Sequence, residues 1–534
     1  MPTQFYPVFL CLLFSAITTA STASSQMQLA WEIDRLINQQ CAPELRAELV
    51  GESQYIRRAT LDLAGRIPTI AELQNFRNSE SLTKRQDLIQ KLVSSADFAF
   101  HQRNELDTLL LRRLEHNDHW RAFLLEATRE NRKWDELFRQ IMVPEDNEDH
   151  RSAAFLRKRL RDLDSTTNDS SIAWFGVNIG CAKCHDHPLV MDWTQAHYYG
   201  MASFFKRTFQ TRAGSVGERF DGSIGYTTTD GDSRKSEFMF LTGTKLVEPD
   251  LELEEAKQKE INEAIKKAES DAKAPPPPKP SFRPRSNLVR IALSDTEQNF
   301  FARNIANRLW ARMFGRGLIH PLDQAHSENP PSHPALLDLL ARDLREHGFD
   351  LRRTLHAIAL TDTYARKAHA EDPPPDELFA GAIPRPLTPH QFSLSLLIAS
   401  ANPTEMQGLA SKQSWDRRRE ELEQKSESVA RQLEIPDDGF QVSVTESLWF
   451  SNHPQIQNEY LQSGGNRLVG SLLRFESDEE LIRESIQAVL CRDPDPDEMT
   501  AMLQYLQSKT ERRTDAIGQI VWALMSSPEF RFNH

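Results

Sequence analysis

The stretch Thr69-Ile70-Ala71-Glu72 has the pattern that begins an α-helix, and the same pattern recurs along the chain. In this pattern a hydroxyl and a carboxylate or amide three residues later satisfy two unpaired backbone N–H groups reciprocally. Thr388-Pro389-His390-Gln391 adds a proline at the first helical position, where its missing N–H has no consequence. Similar starts lie at Ser294-Asp295-Thr296-Glu297 and Ser477-Asp478-Glu479-Glu480. Apolar residues then recur at helical spacing, so the sequence predicts a mainly α protein.

Two stretches depart from the helical pattern and divide the chain. Residues 208–248 hold glycines between short β-prone pieces, which predicts a small β-rich insert. Residues 249–285 are rich in Glu and Lys and pass through four consecutive prolines, which predicts a charged, solvated linker. The predicted order is a signal peptide at 1–23, a helical domain with a CxxCH motif at 30–207, the insert, the linker, and a second helical domain at 286–534.

The composition excludes several classes of protein. The 534 residues carry 64 Lys and Arg against 77 Asp and Glu, a formal net charge of −13. This acidic balance argues against a general nucleic-acid binder, whose affinity comes from neutralising phosphates. With 39% hydrophobic and 26% charged residues, the chain is neither a polytopic membrane protein nor wholly disordered.

The N-terminal residues predict export. Val8 to Ile17 is an apolar run too short to span a bilayer, and Ser21-Thr22-Ala23 follows as a small-x-Ala cleavage site. We therefore expect a secretory signal peptide and a periplasmic or extracellular protein. No other stretch of the sequence is apolar enough for a transmembrane segment in the mature chain.

The motif that points to chemistry is Cys181-Ala182-Lys183-Cys184-His185. With five cysteines and sixteen histidines in the chain, chance produces such a CxxCH with a probability of roughly 0.001. Two thiols three residues apart can each bond one vinyl group of a haem, and the following histidine is placed to ligate the iron. Cys181, Cys184 and His185 are therefore the predicted cofactor-binding residues, and haem c is the predicted cofactor.

Two other interpretations of this motif stay open. A CxxC pair can be a redox-active disulfide, whose first thiol is activated near a helix start. His185 and His187 are the predicted metal ligands if the motif binds a metal, because two thiolates and two imidazoles would satisfy tetrahedral zinc. The two histidines are only two residues apart, which crowds a single four-ligand site.

A distal iron ligand is not obvious in the sequence. Met191, His197 and Met201 have the nearest suitable separation from the motif. Met201 shares one helix face with Tyr198 and Phe205, a stripe that is more typical of a core than of a ligand. A five-coordinate or weakly ligated iron therefore stays open.

The rest of the sequence shows no recognised catalytic pattern. GxSxG, HExxH and the P-loop are absent. Asp62, Asp323 and His326 are scattered polar residues of the kind that more often serve as caps and surface groups. We assign no catalytic residue and leave open whether the protein is an enzyme. Cys41 and Cys491 could pair in an exported protein, but isolated buried thiols are an equal alternative.

Several stretches match, in order and spacing, a pattern shared by a known family. They are RRATLDLAGRIPT at 57–69, CAKCHDHP at 181–188, NRLW at 307–310, FGRGL at 314–318, PSHP at 331–334 and WAL at 522–524. On these residues the chain resembles secreted proteins that are greatly multiplied in planctomycetes and related bacteria. Such proteins join an N-terminal cytochrome-c-type domain to a C-terminal planctomycete-specific domain, both of unknown function. The resemblance implies export and haem at Cys181, Cys184 and His185, and it supplies no substrate.

Three hypotheses about function follow. The first is an exported c-type haem protein with an electron-transfer or redox-sensing role. The second is a non-haem metal or thiol-redox protein that uses the same Cys/His cluster. The third is an extracytoplasmic interaction scaffold in which the CxxC is structural. In each case we expect the partner to be an unidentified exported protein or redox partner, and not a nucleic acid.

Overall fold

The computed structural model describes residues 25–111, 117–146, 150–186, 190–249, 254–407, 412–433 and 449–534. The predicted signal peptide at 1–23 lies outside these ranges. Backbone contacts divide the chain into two compact units. Unit 1 contains residues up to Glu105, Met313–Gly315 and Leu355–His534, and unit 2 contains Leu106–Arg312 and Arg316–Thr354. Unit 1 is therefore assembled from stretches that are far apart in the sequence.

Helices make up most of both units, which confirms the predicted mainly α fold. The first twelve, in chain order, are α1 (25–40), α2 (Glu52–Ala64), α3 (Ile70–Arg77), α4 (Lys84–Val93), α5 (Ala96–Leu111), α6 (Asp118–Arg129), α7 (Trp134–Met142), α8 (Ala154–Arg157), α9 (Leu163–Phe175), α10 (Gln195–Lys206), α11 (Glu255–Ser270) and α12 (Pro284–Ser294). They are followed by α13 (Phe300–Phe314), α14 (Pro334–Glu346), α15 (Leu351–Ala359), α16 (Pro389–Ala399), α17 (Pro403–Gln407), α18 (Lys412–Ala430), α19 (449–452), α20 (Leu468–Leu472), α21 (Asp478–Leu490), α22 (Pro496–Gln507), α23 (Arg513–Met525) and α24 (Pro528–Arg531). Within the described ranges, none of these helices is long and apolar enough to cross a membrane.

The strands are short and pair only two at a time. In unit 2 they are β1 (Thr208–Gln210), β2 (Val216–Glu218), β3 (Gly225–Thr227), β4 (Ser233–Lys235), β5 (Phe238–Met239) and β6 (Lys245–Leu246). Successive strands form three antiparallel hairpins, β1–β2, β3–β4 and β5–β6, so the β-rich insert is present where the glycines predict it. In unit 1, β7 (Arg385–Pro386) pairs antiparallel with β8 (Phe532–Asn533).

Two of the predicted helix starts form the full reciprocal pattern that the sequence indicates. Thr69 Oγ1 accepts from the backbone N–H of Glu72 at 3.2 Å, and the Glu72 carboxylate accepts from Thr69 N–H at 2.9 Å. Thr388 and Gln391 make the same reciprocal pair at 3.3 and 2.9 Å, with Pro389 at the first helical position. Each pair satisfies two N–H groups that the helix itself leaves unbonded.

The helix start predicted at Ser294 is wrong. Ser294 is the last residue of α12, and its hydroxyl donates to Ile291 O at 3.0 Å within that helix. Asp295 accepts from two following backbone N–H groups in the connection, and α13 begins only at Phe300. The serine therefore bonds back to its own helix instead of capping the next one. Ser477 does cap α21 by accepting from a backbone N–H at 3.3 Å.

Unit 1 contains a buried cluster of alternating charges. Asp97 is centred between two arginines: Arg66 Nη2 lies 2.9 Å from its Oδ2 and Arg419 Nε lies 2.7 Å from its Oδ1. Arg66 also pairs with Glu72, and Arg419 with Glu423. The side chains of Asp97, Arg66 and Arg419 are at most 2% exposed. Because an unpaired buried charge is strongly destabilising, each ion here depends on its neighbours.

The core of unit 2 is aromatic. Trp134 lies 4.8 Å from Trp174 between ring centroids, and Phe138 lies 4.7 Å from Trp174 and 4.8 Å from Phe301. All four rings are buried. Such tilted contacts add to the free energy of burying each ring and hold α7, α9 and α13 together.

The charged helix α11 is docked along one face. Ile261 and Ile265 are buried against Phe209 of β1, and Arg212 N–H donates to Ala268 O at 2.7 Å. The prediction that this segment is solvated is therefore correct for the charged face of the helix and wrong for its apolar face, which is buried. Burial of the two isoleucines gives the hairpin β1–β2 a covering layer.

Cys41 and Cys491 carry free thiols and are both buried. Of the two alternatives, isolated buried thiols is therefore the correct one. Burial raises the pKa of the Cys491 thiol to about 12, so it stays protonated.

Candidate functional site

The CAKCH motif lies in unit 2 on a short 3-10 helix, Gly180–Lys183, between α9 and α10. Gly176 ends α9 in the left-handed conformation, with φ of 72°. A Cβ at Gly176 would stand 2.8 Å from Asn304 Oδ1, so glycine alone suits both the turn and the close approach. Ile179 N–H then donates to Asn168 Oδ1 at 3.0 Å. These features fix the direction in which the backbone enters the motif.

The three predicted cofactor-binding side chains are all exposed. Cys181 and Cys184 are exposed free thiols, and His185 is exposed beside them. Ala182, between the cysteines, is fully buried and packs the turn onto the rest of unit 2. The structure thus presents both sulfurs and the imidazole to solvent on a turn whose backbone is anchored.

Gln195, the first residue of α10, holds the turn in place. Its side-chain amide donates to the carbonyls of Lys183 and Cys184, both at 3.3 Å, and its backbone N–H donates to Asp186 Oδ1 at 2.9 Å. Its side-chain carbonyl accepts from Thr229 N–H at 3.2 Å in the β3–β4 turn. One glutamine therefore ties the motif to a helix and a hairpin. Sequence reasoning missed this role, and the signal for it was a glutamine directly after the capping Thr194.

His185 is oriented for ligation through one ring nitrogen. Its Nδ1 lies 2.7 Å from the backbone oxygen of Asp186. Because a carbonyl only accepts, Nδ1 carries the hydrogen of the neutral ring, and the lone pair is on Nε2. A histidine that binds a metal commonly donates its other N–H to a carbonyl in this way.

Polar and aromatic groups surround the motif on one side. Lys183 pairs with Asp164, and this hydrogen bond raises the pKa of the lysine. Tyr198 also donates to Asp164, and its burial raises the pKa of the phenol. Tyr199 stacks on Tyr226 with ring centroids 4.2 Å apart. Lys183, which lies between the two cysteines in the sequence, is therefore paired with the carboxylate of Asp164.

The structure brings none of the three distal-ligand candidates into an evident ligand position. Met201 is fully buried, with Tyr198 and Phe205, in the core stripe that the spacing predicts. His197 accepts from Thr194 N–H through Nδ1 at 3.3 Å and so caps α10. Met191 is 92% exposed. His187 lies outside the described residues, and the described ranges contain no cluster of three potential metal-ligating side chains.

The described residues fit the chemistry of haem attachment. Covalent attachment needs two reachable thiols and an imidazole with a free lone pair. Cys181 and Cys184 are exposed and unpaired, and the Nδ1 contact of His185 leaves Nε2 for iron.

Of the other polar residues singled out in the sequence, Asp62 has a different environment from that expected. It is 2% exposed and accepts from the Tyr364 hydroxyl at 2.7 Å and from Arg385 Nη2 at 2.8 Å. It is therefore a buried structural carboxylate of unit 1, and the expectation of a cap or surface group is wrong for it. Asp323 and His326 lie half-buried in the connection after α13.

The protein is mainly helical, and two regions of its sequence match families of unknown function. Residues 32–210, which contain the CAKCH motif, match the model of PSCyt2, described as a protein of unknown function (DUF1549). Residues 284–442 match the model of PSD1, described as a protein of unknown function (DUF1553). The two matches agree with the two-domain, unknown-function layout that the resemblance implies. No curated protein and no solved structure matches the chain.

Proposed function

We propose that this is an exported c-type haem protein with an electron-transfer or redox-sensing role, with haem attached at Cys181 and Cys184. The observation that carries the proposal is the arrangement at the motif. Two exposed, unpaired thiols flank one turn, and the adjacent His185 has its Nδ1 engaged by a carbonyl and its Nε2 lone pair available.

In this proposal some residues attach the haem and another supports the turn that carries them. Each cysteine sulfur would bond one vinyl carbon of the haem while its hydrogen passes to the neighbouring vinyl carbon, and His185 Nε2 would ligate the iron. Gln195 holds the carbonyls of Lys183 and Cys184, so it supports the backbone of the turn that carries the two thiols. When bound, haem supplies one-electron transfer at its iron.

Export is part of the same proposal. The apolar run Val8 to Ile17 and the small-x-Ala site at Ser21-Thr22-Ala23 support cleavage after residue 23. The resemblance to secreted planctomycete proteins supports the same compartment, where haem attachment takes place.

The test is expression with the N-terminal residues in a host that carries the c-type haem maturation machinery. We expect a band that stains for haem peroxidase on a denaturing gel, and an intact mass that equals residues 24–534 plus one haem. Cys181→Ala/Cys184→Ala should abolish both the stain and the added mass. Cys41→Ala, which removes a buried thiol far from the motif in sequence, should retain them. A colourless protein of unmodified mass would refute the haem proposal.

A second candidate is a thiol-redox protein, and the exposure of both sulfurs on one surface turn favours it. Oxidation would form one S–S bond between Cys181 and Cys184 and release two protons and two electrons to an oxidised partner. Counting thiols in the haem-free protein before and after oxidation tests this, and a loss of two thiols is expected. Bound zinc in the same sample, lost in His185→Ala, would instead support the metal interpretation.

A further inference from the structure

Unit 2 contains a cavity of about 470 Å³ that the proposed haem site does not use. It is bounded by the start of α10, the β5–β6 turn, the first turns of α13 and the connection before α14. Its size falls within the range of sites that enclose a small molecule.

One wall of this cavity is aromatic. Trp193 and Phe300 both line it, with ring centroids 6.0 Å apart and planes inclined at 50°. Trp193 is 3% exposed and is held by the protein, while Phe300 is half-buried and lies at the start of α13. Pro331 adds to the apolar lining. A ligand therefore needs at least one apolar face.

Two lining side chains present hydrogen-bond donors. Because Thr194 N–H donates to Nδ1 of His197, the neutral ring carries its hydrogen on Nε2. Burial lowers the pKa of His197 and keeps it neutral. Arg303 donates through Nη1 to Asp338 at 2.9 Å, and its remaining N–H groups are left for a ligand.

Two other lining side chains present acceptors. Asn329 uses its amide Nδ2 to donate to Gln324 O at 2.9 Å, so Oδ1 is its remaining polar atom. Asp192 accepts from the backbone N–H and the hydroxyl of Ser327 at 2.7 and 2.8 Å, and each carboxylate oxygen has a further lone pair. An anion would meet Arg303 already paired with Asp338, and it would gain no hydrogen bond from the acceptor oxygens of Asp192.

We propose that this cavity binds one neutral sugar ring, with the C–H face of the ring against Phe300, which packs against Trp193. A hydroxyl group both donates and accepts, so a ring of hydroxyls satisfies the donors of His197 and Arg303 together with the acceptors of Asn329 and Asp192. A quinone or a carboxylate carries only acceptors, so it would bond to the donors and gain no hydrogen bond from Asn329 and Asp192. The site is independent of haem attachment.

The test is saturation-transfer NMR on the full-length mature protein with methyl glycosides of glucose, galactose, mannose, xylose and N-acetylglucosamine, beside hydroquinone and benzoate. We expect saturation transfer to at least one glycoside and stronger transfer to it than to either aromatic probe. Arg303→Ala and Phe300→Ala should each raise the dissociation constant of that glycoside roughly tenfold, as expected for one lost contact.

A matched control separates the cavity from general effects. Arg290→Ala removes an exposed arginine of α12 that does not line the cavity, and it should bind the glycoside as the wild type does. Far-UV circular dichroism establishes that each variant is folded, and Arg303→Ala serves alone if Phe300→Ala is not. The proposal is overturned if no glycoside shows transfer, if the aromatic probes bind in preference, or if folded Arg303→Ala binds unchanged.

Discussion

The two units place their polar side chains in opposite environments. Around Asp97 in unit 1, arginines and carboxylates are buried and each lies against an opposite charge. On the CAKCH turn of unit 2, the thiols and the imidazole are exposed, and Gln195 holds only the backbone beneath them. In the first region the charged side chains themselves hold the fold together. In the second region, hydrogen bonds to the backbone hold the turn, and the thiols and the imidazole stay exposed.

The largest effect is expected from removing the centre of the buried cluster. Asp97→Ala leaves Arg66 and Arg419 each without one ionic partner in a nearly water-free environment. We expect the free energy of unfolding to fall by about 3–5 kcal/mol, measured by urea denaturation. Glu32→Ala, which removes a partly exposed pair with Arg35 in the same unit, should change it by less than about 1 kcal/mol. Equal urea midpoints for the two variants would contradict a stabilising role for the cluster.

The second largest effect is expected on the stability of the protein at low pH. Burial opposes ionisation of Glu72, but Arg66 outweighs burial and lowers its pKa from 4.5 to about 2. A carboxyl whose pKa is lowered by folding stabilises the protein above its ordinary pKa, and this contribution is lost as the pH falls through the folded value. We expect the Tm to decrease as the pH falls from 4.5 to about 2, and Glu72→Gln to flatten that decrease. An identical pH profile for both proteins would disprove the assignment.

A smaller effect is expected at the exposed motif. Gln195→Ala removes the two bonds to the carbonyls of Lys183 and Cys184 and the bond from Thr229. We expect a loss of about 1–2 kcal/mol in unfolding free energy, with faster hydrogen exchange confined to the motif and the β3–β4 turn. Gln258→Ala in α11 provides the matched control and should leave exchange at the motif unchanged. Unaltered exchange in Gln195→Ala would show that other contacts hold the turn.

The smallest effect is expected from Lys183. Its side chain is 41% exposed and that of its partner Asp164 is 47% exposed. Solvent screens such a pair, so Lys183→Ala should change the unfolding free energy by less than about 1 kcal/mol. Thermal denaturation beside the wild type checks this, and a change as large as that of Gln195→Ala would place the lysine among the structural residues.

Sequence patterns predicted the local part of this comparison. The caps at Thr69 and Thr388 depend on residues three positions away, and both form as expected. Ser294 shows where the pattern is ambiguous, because a hydroxyl at a helix boundary can bond forward or back. It bonds back to Ile291, and no neighbouring residue reveals that choice.

The supporting contacts could not be predicted from the sequence, since they join distant positions. Asp97 meets Trp415 across 318 residues, and Gln195 meets Thr229 across 34. No periodicity or motif indicates such a pair in advance. The CAKCH residues themselves were found readily because their spacing is local, whereas the glutamine that holds them was not.

The separation along the sequence between Asp97 and its later partners also affects the order in which the two units can fold during synthesis. Unit 2 is complete once residue 354 has been made, whereas unit 1 needs residues 355–534 to join those before 106. At about 5–20 residues per second, the 318 residues between Asp97 and Trp415 take roughly 15–60 s to synthesise. During that interval the carboxylate at position 97 and the guanidinium of Arg66 must wait for the later arginine and tryptophan. A chain that has been synthesised only as far as residue 354 therefore contains all of unit 2, which can fold before unit 1 is complete.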